Sequence, residues 1–202
     1  KKKKIIGITG GISSGKSTVT NFLRQIGFQV VDADALVHQL QAPGGRLYNI
    51  LVEHFGNQVV LKNGQLNRPL LASLIFSNPE EQEWSKETQG QVILEELAAL
   101  KNQLAKTEAI FFMDIPLLFE QGYESWFDEV WLIYLDRETQ IERLMNRDKL
   151  SLEAAESRLA SQWSLDKKKK LATHIIDNSG SLDQLLSQII SLLERGEFHE
   201  RN

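Results

Sequence analysis

One short segment constrains this chain more than any other. Residues 10–17 read GGISSGKS, which matches the pattern G-x-x-x-x-G-K-[ST]. Its glycines let the backbone curl so that successive N–H groups face an anion, and the following helix adds the positive end of its dipole. The apolar run 5–9 precedes the segment, and Val19, Leu23 and Ile26 follow it with helical spacing. Because the pattern requires this strand–loop–helix context, we predict a phosphate-binding loop.

The side chains of this loop have distinct expected roles. In the pattern, Lys16 reaches the β- and γ-phosphates and the Ser17 hydroxyl binds Mg²⁺. A plain glycine-rich turn and a loop that binds a nucleotide without reaction are the less favoured alternatives. We predict that ATP·Mg²⁺ binds through Gly11, Ser13, Ser14, Gly15, Lys16, Ser17 and Thr18.

The remaining apolar runs predict the fold class. Runs at 28–31, 109–113, 129–135 and 174–176 read as further strands, and most of them end at an aspartate. Strands that alternate with helices indicate an α/β protein of the P-loop NTPase type, with a doubly wound parallel five-stranded sheet. Residues about 35–106 have a helical pattern, with a hint of a hairpin around Asn63-Gly64. We therefore predict one domain in which this helical insertion covers the substrate.

Composition limits the partners of the chain. A formal charge of -4 disfavours broad binding to nucleic acid or to an anionic membrane. The absence of cysteine excludes disulfides and suits the cytoplasm. No apolar run reaches the roughly 18 residues that a membrane span needs, and the basic start, residues 1–4, precedes an apolar run too short for a signal peptide. Small molecules are therefore the expected partners of a cytoplasmic chain that is monomeric or weakly associating.

An acidic pair follows the second predicted strand. Because they follow the next strand along the chain, Asp32 and Asp34 should lie beside the phosphate loop. A carboxylate there could orient an acceptor hydroxyl and take its proton. Asp34 could equally cap a helix that begins at Ala35, and the two roles are compatible.

These residues carry a family resemblance. GITGGISSGKST followed by VVDADALVHQL resembles the dephospho-coenzyme A kinase family, and the similarity continues in order through APGG, HFG, LNRPLL, FSNPE, IPLLFE, NRD and IDNSG. The resemblance implies transfer of the ATP γ-phosphate to the ribose 3′-hydroxyl of dephospho-coenzyme A, the last step of coenzyme A synthesis. One departure is that the His-Pro pair usual in the family after the Trp84 position is missing, since the chain there reads SKETQGQ.

The resemblance also implies roles for single residues. Asp34 would be the general base, acting with Lys16 and with Arg147 of a small lid at about 137–165. Arg158 would belong to the same lid, and Arg68 would meet the acceptor. The resemblance implies an acceptor side lined by Pro116, Leu117, Leu118 and Glu120, and an adenine end near Asp177 and Asn178. The core of the domain would then comprise 1–34, 107–136 and 172–202.

Several of these residues also have plainer interpretations. Arg143 and Arg147 could pair with Glu138 and Glu142 on a solvated helix. The lysine run 167–170 is typical of a solvated helix face, with nucleotide contact as the less favoured alternative. Residues 177–180 could simply form a turn before a helix capped by Ser181, and Asp114 either holds Mg²⁺ through water or is an ordinary strand end.

Three other functions are alternatives to that of a dephospho-coenzyme A kinase. Another small-molecule P-loop kinase, acting on a nucleoside, a nucleotide or shikimate, would share the phosphate loop. A GTP-binding switch would need an N/T-K-x-D motif, which is absent. A nucleotide-binding module without catalysis is disfavoured because Lys16, Ser17 and Asp34 are all present.

Overall fold

A computed structural model of the protein describes residues 3–198, with side chains described for 3–195. Lys1 and Lys2 of the basic start lie outside these residues. The strands are β1 Lys4–Thr9, β2 Val30–Asp32, β3 Ile110–Asp114, β4 Glu129–Tyr134 and β5 His174–Asp177. The α-helices are α1 Lys16–Gln25, α2 Ala33–Gln41, α3 Arg46–Phe55, α4 Arg68–Phe76, α5 Pro79–Thr107, α6 Arg137–Asp148, α7 Leu152–Leu159, α8 Leu165–Lys169 and α9 Leu182–Phe198.

The strands form one sheet in the order β2-β3-β1-β4-β5. The pairs β1–β3, β1–β4 and β4–β5 are parallel, which confirms the predicted α/β class with its five-stranded parallel sheet. The strands β2 and β3 lie on one side of β1 in the sheet, and the later strands β4 and β5 lie on its other side. Ligands of doubly wound sheets bind where the strand order reverses in this way, outside the carboxyl ends of the strands.

The sheet is apolar on both faces, as the continuous runs predicted. One face packs on α1 and α9 through a cluster that includes Ile8, Leu23, Trp131 and Ile189, all nearly inaccessible to solvent. On the opposite face, Leu132 and Leu135 pack with Leu165 of α8. This packing holds the end of β1 rigidly between two helical layers.

The chain divides into two compact units, residues up to Val31 with those from Leu104 onward, and Asp32–Gln103. The first unit contains most of the sheet and the helices that pack on it. The second has its own small cores, one around Leu51, Val59 and Leu71 and another around Leu47. An isolated antiparallel bridge between Val60 and Leu66 confirms the hint of a hairpin.

Within residues 3–198, none of the helices combines the length and the apolar character that a membrane span requires.

Candidate active site

The segment between β1 and α1 adopts the curled conformation that the motif predicted. Gly15 has φ 87°, a left-handed conformation natural to glycine, and an added Cβ there would collide with the Asn178 amide. Ser13 also has a positive φ, 61°, which is uncommon for a residue with a side chain. Its hydroxyl donates to the Gln140 carbonyl oxygen at 2.9 Å. The turn is therefore maintained by contacts from outside the loop.

Three side chains from outside the loop hold the carbonyls of alternate loop residues. The bonds run from Lys168 Nζ to Gly10 O (3.2 Å), from Gln140 Nε2 to Ile12 O (2.9 Å) and from Asn178 Nδ2 to Ser14 O (2.8 Å). Each of these carbonyl oxygens is therefore paired with a donor of the protein itself. The first N–H groups of α1 lack acceptors within the helix, so they are available to phosphate oxygens.

Lys16 and Asp114 form an ion pair beside the loop. Lys16 Nζ lies 2.5 Å from Asp114 Oδ1, and both side chains are largely buried. The contact follows from the sheet, because Asp114 ends β3 and pairs in register with Ile8 of β1. Ser17 and Thr18, in the first turn of α1, are exposed. The predicted phosphate-binding residues thus lie together at one end of the central strand.

The segment that follows β3 contacts the end of β1, just before the phosphate loop. Leu118 is fully buried, and a Cβ on Gly7 would come within 2.7 Å of its side chain, so the structure supports a packing role for Leu118. Pro116 accepts a hydrogen bond from the Thr9 hydroxyl through its carbonyl oxygen, and Leu117 is half-buried. Glu120 accepts from the Trp163 amide at 3.2 Å. Acceptor binding by this segment stays a prediction.

The lid arginines are paired with one carboxylate. Arg147 of α6 donates from Nε to Asp148 Oδ1 at 3.0 Å, and Arg158 of α7 donates from Nη1 to Asp148 Oδ2 at 2.5 Å. The hydrogen bonds from Arg147 lower the pKa of Asp148 and the charge of Arg158 lowers it further. The alternative pairing of Arg147 with Glu138 or Glu142 is therefore wrong in this conformation. About half of each arginine side chain is exposed, and a role of either arginine in phosphate binding stays a prediction.

The acidic pair divides into a capping residue and an exposed residue. Asp32 caps α2 by accepting from the Ala35 amide at 3.1 Å, and the helix begins at Ala33. The alternative in which Asp34 caps the helix is therefore wrong. Asp34 lies in the first turn of α2 with its carboxylate exposed. It is accessible to a substrate, and its role as a base stays a prediction.

Arg68 borders a cavity in the second compact unit. Its guanidinium donates to Gln41 Oε1 at 2.6 Å, and the cavity of about 320 Å³ is also lined by His38, Pro43 and Leu66. Asn67 caps α4 and places Arg68 at its first position, which orients the side chain. A cavity lined by an arginine together with polar and apolar side chains suits part of an anionic metabolite.

The turn before α9 is held by its own hydrogen bonds. Asp177 Oδ1 accepts from the Ser179 amide at 2.8 Å, and Ser181 Oγ accepts from the Gln184 amide at 3.2 Å, which confirms the predicted cap. Asn178 reaches back to the phosphate loop, as described above. Contact of Asp177 and Asn178 with adenine stays a prediction.

The four lysines at 167–170 were expected to form a solvated helix face, but their environments differ. Lys167 and Lys169 place their ammonium groups over the Trp163 ring (3.5 Å) and the Tyr134 ring (4.5 Å), and Lys170 is exposed. Lys168 instead has no solvent-accessible surface. The prediction of a solvated face is therefore wrong for Lys168. The run of identical residues concealed the difference, and only the apolar Leu165 three positions earlier marks the same buried side of the helix.

Oxygen ligands suitable for a nucleotide-bound metal are present. The Ser17 hydroxyl is exposed, and Asp114 supplies a carboxylate at the end of the neighbouring strand, a set that suits Mg²⁺. The described residues, 3–195, contain no group of three acidic, histidine or cysteine side chains that could hold a metal. Binding of Mg²⁺ stays a prediction.

A parallel sheet whose central strand leads into a lysine-containing phosphate loop defines a P-loop nucleotide-binding protein of the small-molecule kinase type. The family model described as dephospho-CoA kinase matches residues 4–184. This chain belongs to the dephospho-CoA kinase family.

Known proteins are similar over nearly the whole length. The dephospho-CoA kinase of Streptococcus pneumoniae serotype 4 is 68% identical over 199 residues, which cover 98% of this chain and 99% of that protein. A dephospho-CoA kinase structure from Campylobacter jejuni has a TM-score of 0.74 at 30% identity and covers 96% of this chain and 99% of its own. A structure from Thermus thermophilus has a TM-score of 0.78 at 33% identity, with 96% and 98% coverage.

Proposed function

We propose that this chain transfers the γ-phosphoryl group of ATP to the ribose 3′-hydroxyl of dephospho-coenzyme A, giving coenzyme A and ADP. The observation that carries the proposal is the phosphate loop, complete with Lys16, in a chain of the dephospho-CoA kinase family. Other small-molecule P-loop kinases share such a loop, but the family membership does not favour their acceptors. The proposal divides into an ATP side, an acceptor side and a lid.

On the ATP side, the amides at the start of α1 would bind phosphate oxygens. Lys16 would leave Asp114 and move to the β- and γ-phosphates. Ser17 would hold Mg²⁺ with the phosphates, and Asp114 would hold a water ligand of that ion. When bound, Mg²⁺ neutralises the charge of the β- and γ-phosphates.

On the acceptor side, Asp34 would take the proton of the attacking hydroxyl. The exposed position of Asp34 supports this role. Asp32 caps the helix, so the Asp34 carboxylate is not needed as the cap. Arg68 and its cavity would bind an anionic part of dephospho-coenzyme A within the insertion of about 35–106. Pro116, Leu117 and Glu120 would complete the acceptor side.

The lid of about 137–165 would supply positive charge during transfer. Arg147 and Arg158, exposed on Asp148, would turn to the transferring phosphoryl group and help to exclude water. Asp177 and Asn178 would lie near the adenine of ATP. A cytoplasmic location and a monomeric or weakly associating chain remain predictions from the composition.

A coupled assay of ADP release tests the proposal. The protein would be supplied with ATP and Mg²⁺ and with dephospho-coenzyme A, adenosine, AMP, CMP or shikimate as the acceptor. We expect ADP release that depends on dephospho-coenzyme A and an equal yield of coenzyme A. Release with a different acceptor would contradict the assigned substrate, and no release with any acceptor would contradict kinase activity.

A further inference from the structure

Lys168 is a buried cation behind the phosphate loop. Its side chain has no solvent-accessible surface, and its ammonium lies 3.0 Å from Glu120 Oε2 and 3.2 Å from the Gly10 carbonyl oxygen. Glu120 Oε2 also accepts from the Trp163 amide. One ammonium thus joins the first residue of the phosphate loop, the segment after β3 and the segment before α8.

Burial makes the charged form of Lys168 energetically unfavourable. Burial lowers the pKa of Lys168; the hydrogen bond that its ammonium donates to Glu120 raises it, and the charge of Lys16 lowers it again. A buried ion pair is often no more stabilising than well-packed apolar side chains of the same volume. Packing alone therefore does not account for a lysine here, where a methionine would fill similar space.

The other two residues that hold the loop are neutral. Gln140 and Asn178 provide amide donors for the carbonyls of Ile12 and Ser14. Lys168 also donates a hydrogen bond, to the Gly10 carbonyl oxygen, but its ammonium group carries a positive charge as well. The charge of a lysine acts over several ångströms, and most strongly where little water lies between the charges.

We propose that Lys168 is a positioning residue of the phosphate loop, whose ammonium holds the Gly10 carbonyl away from the phosphates and adds positive potential behind them. Glu120 fixes the ammonium in place and compensates its charge when no nucleotide is bound. Lys168 does not touch the substrate; it acts through Gly10 and through its field. The inference rests on the proposed function in that the loop binds nucleotide phosphates.

Four proteins test this role. Lys168→Met removes the donor and the charge while keeping most of the volume, and Lys170→Met removes an exposed charge from the same segment as a matched control. The double variant Glu120→Gln/Lys168→Met avoids leaving a buried carboxylate without its cation. The wild type is the fourth. For each, the displacement of a fluorescent ADP analogue by ADP and by AMP gives the preference for the nucleotide that carries a β-phosphate, and thermal unfolding gives the midpoint.

We expect the preference for ADP over AMP to fall at least threefold in Lys168→Met and in the double variant, and to be unchanged in Lys170→Met. The thermal midpoint should fall in Lys168→Met and recover in part in the double variant. A purely structural defect would weaken both nucleotides alike, so a preference that falls less than threefold in the double variant overturns the inference. The double variant alone decides the matter if Lys168→Met does not fold. A wild type that binds no ADP would instead overturn the proposed function.

Discussion

At the scale of single residues, two aspartates separated by one alanine have different environments. Asp32 is held by the Ala35 amide as a helix cap, whereas the Asp34 carboxylate is exposed in the first turn of the same helix. A carboxylate that serves as a cap is already committed to the backbone. Asp34 is therefore the better candidate for proton transfer.

Substitution of Asp34 by Asn should lower kcat by about 100-fold or more, because a positioned general base typically contributes 10²–10⁴-fold. The affinity for ATP should change little, since the substitution leaves the phosphate loop intact. Steady-state kinetics and ATP binding would be measured together. Asp183→Asn is a matched control, because Asp183 is also an exposed residue in the first turn of a helix, α9. A kcat for Asp34→Asn within twofold of the control would show that Asp34 is not the base.

Substitution of Lys16 by Met should weaken ADP binding and lower turnover together. A hydrogen bond to a charged group contributes about 1.5–3 kcal/mol, which corresponds to roughly 10- to 100-fold in affinity. Calorimetric titration with ADP and Mg²⁺ measures the first effect and the coupled assay the second. Lys106→Met, at an exposed position near the end of α5, serves as the control. Unchanged ADP affinity in Lys16→Met would rule out the phosphate contact.

At the scale of elements, α6 and α8 contribute more to the phosphate loop than their sequences indicate. Gln140 of α6 is buried and donates to the loop, while Ile12 of the loop packs against the α6–α7 cluster around Leu144. The predicted lid is thus joined to the phosphate loop by both polar and apolar contacts. A movement of α6 would therefore displace the residues of the phosphate loop that it contacts.

The central strands should dominate the stability of the protein. Phe112 of β3 is fully buried and packs against Trp131 at a ring-centroid distance of 5.1 Å, whereas Phe76, at the end of α4, is 74% exposed. Phe112→Ala should lower the free energy of unfolding by about 3–5 kcal/mol, because it removes a buried ring and leaves a cavity. Phe76→Ala should change it by less than about 0.5 kcal/mol.

Urea denaturation followed by circular dichroism measures both changes on the same scale. Similar destabilisation by the two substitutions would mean that the core around β3 is not the main source of stability.

At the scale of the whole molecule, binding of nucleotide should stabilise the fold by mass action. ADP at 100 times its Kd adds about 2.7 kcal/mol to the free energy of unfolding. For a chain of this length, each kcal/mol raises Tm by about 2–4 °C, so a rise of roughly 5–11 °C is expected. Thermal unfolding with and without ADP and Mg²⁺ measures it. Lys16→Met should lose most of this rise at the same ADP concentration, and an equal rise in that variant would place ADP binding elsewhere.

The sequence by itself determined the phosphate loop, the five strands and the family. These features are local: a glycine spacing, a continuous apolar run and a helical period are written in consecutive residues. The boundaries of the strands differed from prediction by at most two residues, because caps and pairing partners set the ends.

Only the tertiary structure decided which side chains support the loop. The bonds to Gly10, Ile12 and Ser14 join residues separated by 158, 128 and 164 positions, so no local pattern could predict them. The order of the strands brings α6, α8 and the end of β5 to the carboxyl end of β1, and that order depends on how the layers pack. For the same reason, Lys168 could be distinguished from its three lysine neighbours only when α8 lay against the sheet, where one side of a short helix is buried and the rest faces water.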